Sequence, residues 1–376
     1  MNREVHASLK HIFERQMHPY HMWDGIQSIP AGMTDILAPQ VVQSIQASTA
    51  GMLEKSPIHL IGCGTSYFAA IAIAHAIQQV AGLPAYPWEA FEFLAYPPVE
   101  IERSCVVGIS HTGGTPPVVR AVEMARKLGA CTVGYTDGIP SALARAAEWP
   151  VVSSMGLEPA LPKTRSYTSM LVRGYLQAIE LARHKGRDTE AWESALNEAP
   201  ELAHQVLSSV ESQVKGLAGR WVSCRRIIVS GGGPQYATAQ EGSLKITEAS
   251  IFSSFAWEIE EAVHGTWAST EEEDLVILIA LAGPSYGSAV RLAGGMKTIG
   301  SKVWVLTDGP WEGAAVDAIT ELPKGEPELF MPLYAIIPLY EFSYFAALEK
   351  KLSPDNMRLT DPRFLDARTQ MRTSLS

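Results

Sequence analysis

One succession of strand, loop and helix occurs twice in this chain, in the same order and at nearly the same spacing. Apolar runs that read as buried strands begin near residues 58, 105 and 131, and again near 226, 275 and 302. The intervals are about 47 and 26 residues in the first set and about 49 and 27 in the second. The third runs even end alike, in Tyr135-Thr136-Asp137 and Leu306-Thr307-Asp308. A period this long indicates a duplicated domain, not a short solenoid repeat. In the first copy the spacing predicts strands at Ile58–Ile61, Ala85–Glu89, Cys105–Ser110, Cys131–Thr136 and Val151–Ser153. Helical patterns at Phe68–Val80 and Pro116–Leu128 fall between them. Such alternation places the chain in the α/β class, with a parallel sheet covered by helices on both faces. Ahead of it, residues 1 to about 52 read as helical over Ser8–Met17 and Val41–Leu53, separated by a Pro- and Gly-containing segment. A helical stretch from about 169 to 220, charged and polar on one face, joins the copies.

Two loops of the first copy carry a common chemistry. Cys63-Gly64-Thr65-Ser66 follows the first strand and Ser110-His111-Thr112-Gly113-Gly114-Thr115 follows the third, each just before a helix. Glycines let the backbone come close to a ligand, and a helix N-terminus offers free N–H groups and partial positive charge. The pair predicts a pocket that holds the phosphate of a small molecule through hydroxyls and amides. In the second copy Arg226–Ser230 runs into Gly231-Gly232-Gly233, but Ala282-Gly283-Pro284-Ser285-Tyr286 replaces the Ser/Thr cluster. One phosphate site per chain is therefore expected.

Composition removes several classes. With 376 residues the chain can bury a large core, and its net charge of −10, offset by no basic stripe, argues against nucleic acid as a partner. Met1–Pro19 has no signal-peptide pattern, and the longest apolar candidate, Phe330–Leu348, is broken by Pro332 and Pro338 and contains Glu341. A cytoplasmic protein without a membrane span is the expectation. The four cysteines show no CxxC spacing, so they read as small core residues in a reducing compartment, Cys63 included. His18 and His21 flank Pro19, which interrupts a helix there, and read as surface residues. No metal and no cofactor is implied.

The second copy carries groups able to move protons. Glu241, Lys245 and Glu248 share one helical face, a spacing that also suits an exposed ion-paired surface. The stretch Ala249–Ala268 then brings Glu258, Glu260, Glu261 and His264-Gly265 in a region too irregular for a simple amphipathic helix. A carboxylate can take a proton from a carbon beside a carbonyl while an imidazole serves a sugar oxygen, and a lysine can stabilise the enolate.

Gly62 through Ser66, Ser110 through Thr115, Glu158 through Tyr167, Glu241 through Glu248 and His264-Gly265 together resemble the sugar isomerase (SIS) domain family, in its double-domain form. That form includes the isomerase half of glucosamine-6-phosphate synthase, aminosugar-phosphate deaminases and fructosamine-6-phosphate deglycases. The resemblance implies two tandem flavodoxin-like domains, at 53–200 and 218–345, after an N-terminal helical segment (1–52) and before a C-terminal tail (346–376) that closes the site. It implies a homodimer acting on a sugar phosphate. Thr65, Ser66, Ser110, His111, Thr112 and Thr115 would line the phosphate pocket. Glu248 would shuttle a proton between sugar C1 and C2, Lys245 would polarise a sugar oxygen, and His264, reaching in from a neighbouring subunit, would assist ring opening or protonate the leaving group.

Departures from the family pattern narrow the expected activity. No cysteine precedes Cys63, so the glutaminase nucleophile of the synthase is missing from this sequence. Pro354–Arg363 lacks the lysine that forms an imine with the keto-sugar in synthase-like members. Both point to acid/base chemistry with amine release, of deaminase or deglycase type; a simple aldose–ketose isomerase or a non-catalytic sugar-phosphate sensor are the alternatives. Lys163 stands where many relatives have a serine, either to contact an anionic substituent or as a plain loop lysine. The basic tail carries Phe364 and Leu365 as a docking point.

Overall fold

The computed structural model describes residues 10–372. Three helices come first: α1 (His21–Gln27), α2 (Ile29–Ile36) and α3 (Pro39–Met52). The first copy follows as β1 (Ile58–Gly62), α4 (Thr65–Ala76), β2 (Ala85–Glu89), α5 (Ala90–Ala95), β3 (Cys105–Ile109), α6 (Pro116–Lys127), β4 (Cys131–Thr136), α7 (Ala142–Ala146) and β5 (Trp149–Val152). Then come α8 (Arg165–His184) and α9 (Glu190–Trp221). The second copy is β6 (Ile227–Gly231), α10 (Pro234–Ser250), β7 (Ser254–Glu258), β8 (Leu275–Ile279), α11 (Tyr286–Ile299), β9 (Lys302–Thr307) and β10 (Ala318–Glu321), closed by α12 (Pro332–Glu349) and α13 (Pro362–Arg372).

Each copy forms a parallel five-stranded sheet. The orders are β2-β1-β3-β4-β5 and, from the matching edge, β7-β6-β8-β9-β10. The register repeats: Ile58 pairs with Ala85 and Cys105, and Ile227 pairs with Ser254 and Leu275. Strand order reverses between β1 and β3, and between β6 and β8. Loops leaving such strands diverge and open a crevice beyond their C-terminal ends, where ligands of open α/β sheets bind. That is where the Ser/Thr loops lie.

Both faces of each sheet are covered, which explains the unbroken apolar runs. Leu275, Ile277 and Ile279 of β8 point into the main core, while Val276 and Leu278 point into a smaller cluster with Val303 and Val305. Ile58, Leu60, Cys105 and Val107 face the same main core, whereas Ile61 and Val106 face a third cluster. The main core is therefore common to both copies, filled by α2, α3, α8, α10 and α12.

Several elements differ from the sequence reading. Over Ser8–Met17 the described part holds only a 3₁₀ turn at Lys10–Phe13; Ser8 itself lies outside the described residues. The Pro- and Gly-containing segment is helical, as α1 and α2, with Pro30 at a helix start, where a missing N–H costs nothing. Of the joining stretch, α9 carries the exposed charged face, whereas α8 has none: every residue from Arg165 to Ala182 is buried. Two of its polar groups are matched from other elements, Gln177 by Thr49 and Ser48, and one Arg173 nitrogen by Asp137. The stretch Ala249–Ala268 contains β7 and two 3₁₀ turns. The tail forms α13, docked through Leu365 on Ile12 and Leu359. Helix α12 is long and apolar enough to cross a membrane, yet it is packed wholly inside the molecule.

Glu341 on α12 is fully buried, and neither carboxyl oxygen has a hydrogen-bond partner among the described residues. Burial pushes its carboxyl up to about 9, and the charge of Glu211 adds to the effect. The folded value lies above the unfolded one, so this residue weakens the fold progressively as pH rises from about 4.5 to about 9. Glu341→Leu is expected to stabilise the protein at pH 8 by on the order of 1–3 kcal/mol, and by much less at pH 5. Calorimetric melts at the two pH values check this, and equal gains at both would contradict it.

Candidate functional site

The first loop is shaped by two glycines. A Cβ on Gly62 would lie 2.5 Å from the Ser66 carbonyl carbon, and Gly64 holds φ 53° as it caps α4. Gly231 and Gly233 repeat the device ahead of α10, with φ 55° at Gly233. Thr65 opens α4, and its hydroxyl bonds to the Glu241 carboxyl of the other copy. Ser66 departs from expectation. It is buried with Oγ 3.7 Å from Met170 Sδ, so its hydroxyl faces the core and not the loop opening.

In the second loop Ser110 Oγ and Thr115 Oγ1 are 2.9 Å apart. Thr112 is exposed, and its Oγ1 accepts the Gly114 N–H at 3.2 Å. Gly113 adopts φ 61° hard against Ser141 and Thr136, where no side chain fits. Helix α6 begins with Pro116 and Pro117, which carry no N–H, so this helix start offers fewer donors than an ordinary one. The hydroxyls of Ser110, Thr112 and Thr115 supply most of what an anion would meet on this side.

His111 is not free to bind a ligand, contrary to its assignment as a phosphate residue. Its Nδ1 lies 2.7 Å from Asp137 Oδ2, and its Nε2 accepts the Glu158 N–H at 3.0 Å. A backbone N–H only donates, so Nε2 bears no proton and Nδ1–H donates to Asp137. Arg173, fully buried, pairs with the other Asp137 oxygen. Burial alone would raise the Asp137 carboxyl; the Arg173 guanidinium and the His111 N–H outweigh it and hold it well below the usual range. The Glu158 carboxylate in turn accepts N–H groups of Thr164, Arg165 and Ser166 at 3.0, 3.2 and 2.8 Å, capping α8 from a distance. Burial opposes ionisation there too, but the Lys163 ammonium and the Ser166 donor prevail. A Cβ on Gly25 would lie 2.5 Å from Thr164 Oγ1 and 2.8 Å from Glu158 Oε2, so α1 fits only as glycine there.

On α10 the three charged residues face inward, not to solvent. Lys245 is 1 % exposed, with Nζ 2.5 Å from Glu248 Oε2 and 3.5 Å from Glu241 Oε1. Burial would lower the Lys245 ammonium, but its two carboxylates keep it above its ordinary value. Glu241 is pushed up to about 7 by burial, with Glu248 adding to this and Lys245 opposing it, and it accepts the Tyr340 O–H at 2.9 Å. Lys163 comes to the same place from the first copy. It donates to the carbonyls of Glu158 and Ala160 at 2.7 and 2.6 Å, and feels the charges of Glu158, Lys245 and Glu248. Burial is the main reason its ammonium titrates below the ordinary lysine range.

Other candidates are placed elsewhere. His264 ends an exposed 3₁₀ turn and makes no hydrogen bond or ion pair with Glu248, Lys245 or the Ser110 loop among the described residues. Glu258 caps that turn through the N–H groups of Glu260 and Glu261, as Glu89 does for α5, and Glu260 pairs with Arg291. The Cys63 thiol is pushed up to about 12 by burial and by Glu89, which suits packing and not reactivity. In the second copy the place of the Ser/Thr loop is acidic: Asp308 accepts the Ala282 N–H and Glu328 packs on Gly283. Asp137, Arg173 and Tyr340 were missed as site residues by sequence reasoning; only the paired Thr-Asp strand ends marked Asp137.

Comparison with known proteins agrees with this architecture. The SIS domain family model matches residues 52–179 and 222–348. The glutamine–fructose-6-phosphate aminotransferase (isomerizing) of Clostridium tetani is 28 % identical over 375 residues, covering 95 % of this chain and 61 % of that protein. Its counterpart from Pyrococcus horikoshii is 28 % identical over 354 residues, covering 94 % and 56 %. The chain thus spans about three-fifths of the length of the curated relatives it matches. Among solved structures, the C-terminal domain of glucosamine-fructose-6-phosphate aminotransferase from Francisella tularensis superposes with a TM-score of 0.80 at 19 % identity, over 91 % of this chain and 99 % of that one. Glucosamine-6-phosphate deaminase from Thermotoga maritima gives 0.68 at 20 %, over 89 % and 97 %.

Asp137→Asn leaves the Arg173 charge buried without its partner. It is expected to cost about 3–5 kcal/mol at pH 7. The native carboxyl is held low, so its contribution is complete above the unfolded value near 4 and fades as pH falls below it. Urea denaturation should show the same deficit at pH 7 and 5 and a smaller one at pH 3; a deficit as large at pH 3 as at pH 7 would contradict the assignment.

Proposed function

The chain belongs to the SIS domain family, and from that premise we propose that it is an enzyme acting on a 6-phosphorylated amino-sugar or fructosamine. The observation that carries the reading is the meeting of the Lys245–Glu248 pair, near the C-terminal end of α10, with Lys163 of the first copy. The phosphate sits among Thr65, Ser110, Thr112 and Thr115. Glu248 takes a proton from one of the two carbons at the far end of the sugar and returns it to the other. Lys245 and Lys163 stabilise the negative oxygen of the enol between these steps. The product of this shift is an imine; water adds to its carbon, the C–N bond breaks, and a carbonyl compound and free amine leave. No oxidant or reductant is required.

His264 enters this reading from a second subunit. It stands on an exposed turn flanked by exposed apolar residues, Val263, Trp267 and Phe255, which suits a surface covered in a dimer. The tail after α12 closes the pocket, its Asp355 carbonyl tied to the Leu161 N–H beside Lys163.

Glu248→Gln should lower turnover of glucosamine 6-phosphate or of a fructosamine 6-phosphate at least ~10³-fold, with little change in KM. Release of ammonia or amine is the readout; full turnover by the variant would end the proposal, and sugar isomerisation without amine release would favour the plain isomerase. Glu248→Gln and His264→Ala subunits, each inactive alone, should regain activity when co-expressed, because a mixed dimer rebuilds one intact site. No recovery would place both groups in one chain.

A further inference from the structure

Behind the Lys245–Glu248 pair stands a third charged group that a substrate does not touch. Glu241 lies one helical turn before Lys245 on α10. Its side chain is fully buried and that of Lys245 is 1 % exposed, whereas Glu248 is 16 % exposed. A sugar entering the site meets Glu248 and leaves Glu241 enclosed.

Helix packing brings a partner to this enclosed carboxyl. A Cβ on Gly242 would lie 2.4 Å from Leu339 Cδ1, so α12 presses hard against α10 at that point. The residues beside the contact, Glu241 and Tyr340, face each other. Tyr340 is fully buried, and its O–H donates to Glu241 Oε1 at 2.9 Å. A phenol has one proton to give, and giving it to a carboxyl favours the ionised form. The other neighbours of Glu241 from outside α10, Thr65 on α4 and Tyr167 on α8, carry no charge at neutral pH.

The local charges balance in one protonation state and not in the next. Lys245 and Lys163 face Glu241, Glu248 and Glu158. The Glu158 oxygens are already taken by the N–H groups of Thr164, Arg165 and Ser166. Once Glu248 accepts a proton it turns neutral, and the ammonium 2.5 Å away loses its nearest counter-charge. A buried ammonium left unpaired is strongly disfavoured. Glu241 Oε1 is 3.5 Å from the same Nζ, on the side away from the substrate, so a small movement of the lysine head pairs the two.

Resting on the phosphosugar reading above, we propose that Tyr340 and Glu241 are positioning residues: Tyr340 keeps Glu241 ionised, and Glu241 holds the Lys245 charge while Glu248 carries the substrate proton. The proton travels only from one sugar carbon to Glu248 and on to the next carbon. Lys245 stays an ammonium throughout and remains available to the enol oxygen. Burial pushes the Glu241 carboxyl up to about 7, so this support is complete only above that pH and fades below it.

The test is the pH dependence of kcat/KM from 6 to 9, with glucosamine 6-phosphate and a fructosamine 6-phosphate as substrates. Wild type should lose activity below about 7. Tyr340→Phe removes the donor and should move this limb up by about one pH unit, leaving roughly tenfold less activity at pH 6.5 and nearly full activity at pH 9. Glu241→Gln, of the same shape, should lack the limb and stay at least about tenfold low throughout. A constant loss of folded protein lowers a profile without moving it, so a structural role for Tyr340 predicts parallel profiles. Parallel profiles, a wild-type profile flat through 7, or near-full activity of Glu241→Gln each overturn the proposal and leave Glu248 as the base. Failure of the wild type to convert either compound overturns both readings.

Discussion

The chain of contacts from Arg173 through Asp137 and His111 to Glu158 fixes the geometry on which the site depends. It begins on a helix buried on all sides, passes the end of β4 and the loop after β3, and ends at the carboxylate that caps α8. Each buried charge needs the next group to be tolerable at all. The loop 158–163 is positioned by this chain, and so is Lys163. The histidine works as a strut because both its nitrogens are used inside the protein.

The two copies share topology and register but divide the chemistry. Hydroxyl-rich loops appear after β1 and β3, while at the matching place after β8 Asp308 and Glu328 make the second crevice unsuited to an anion. Helix α10 supplies the charged triad instead, and Thr65 at the start of α4 reaches across to Glu241. Because one core is common to both sheets, the halves cannot shift freely against each other. Rigid mutual placement is what a proton transfer between adjacent carbons requires.

Much of this was legible in the residues. The long-period repeat fixed the class and eight of ten strands lay where apolar runs stood, because strands covered on both faces have no polar alternation to obscure them. The two missed were β7 and β10, both half-exposed edge strands with mixed composition. Phe255-Ala256-Trp257-Glu258 could have been found as the counterpart of Tyr86-Pro87-Trp88-Glu89, for both end in a glutamate that caps the following turn. Helices α1 and α2 were hidden by Gly25, Pro30 and Gly32, which look like breakers in sequence. Close approach to Glu158 and Arg165 makes the two glycines necessary.

The sequence by itself determined the duplicated α/β plan, the placing of the hydroxyl loops and the common helical face of Glu241, Lys245 and Glu248. These follow from local rules: strand and helix periods, and the freedom of glycine. The tertiary structure alone decided which way side chains turn. It drew His111 into a buried strut, faced Ser66 to Met170, set Lys163 beside the triad and left His264 on the surface. Such outcomes depend on partners from 26 to 104 residues away along the chain, and no local pattern encodes them.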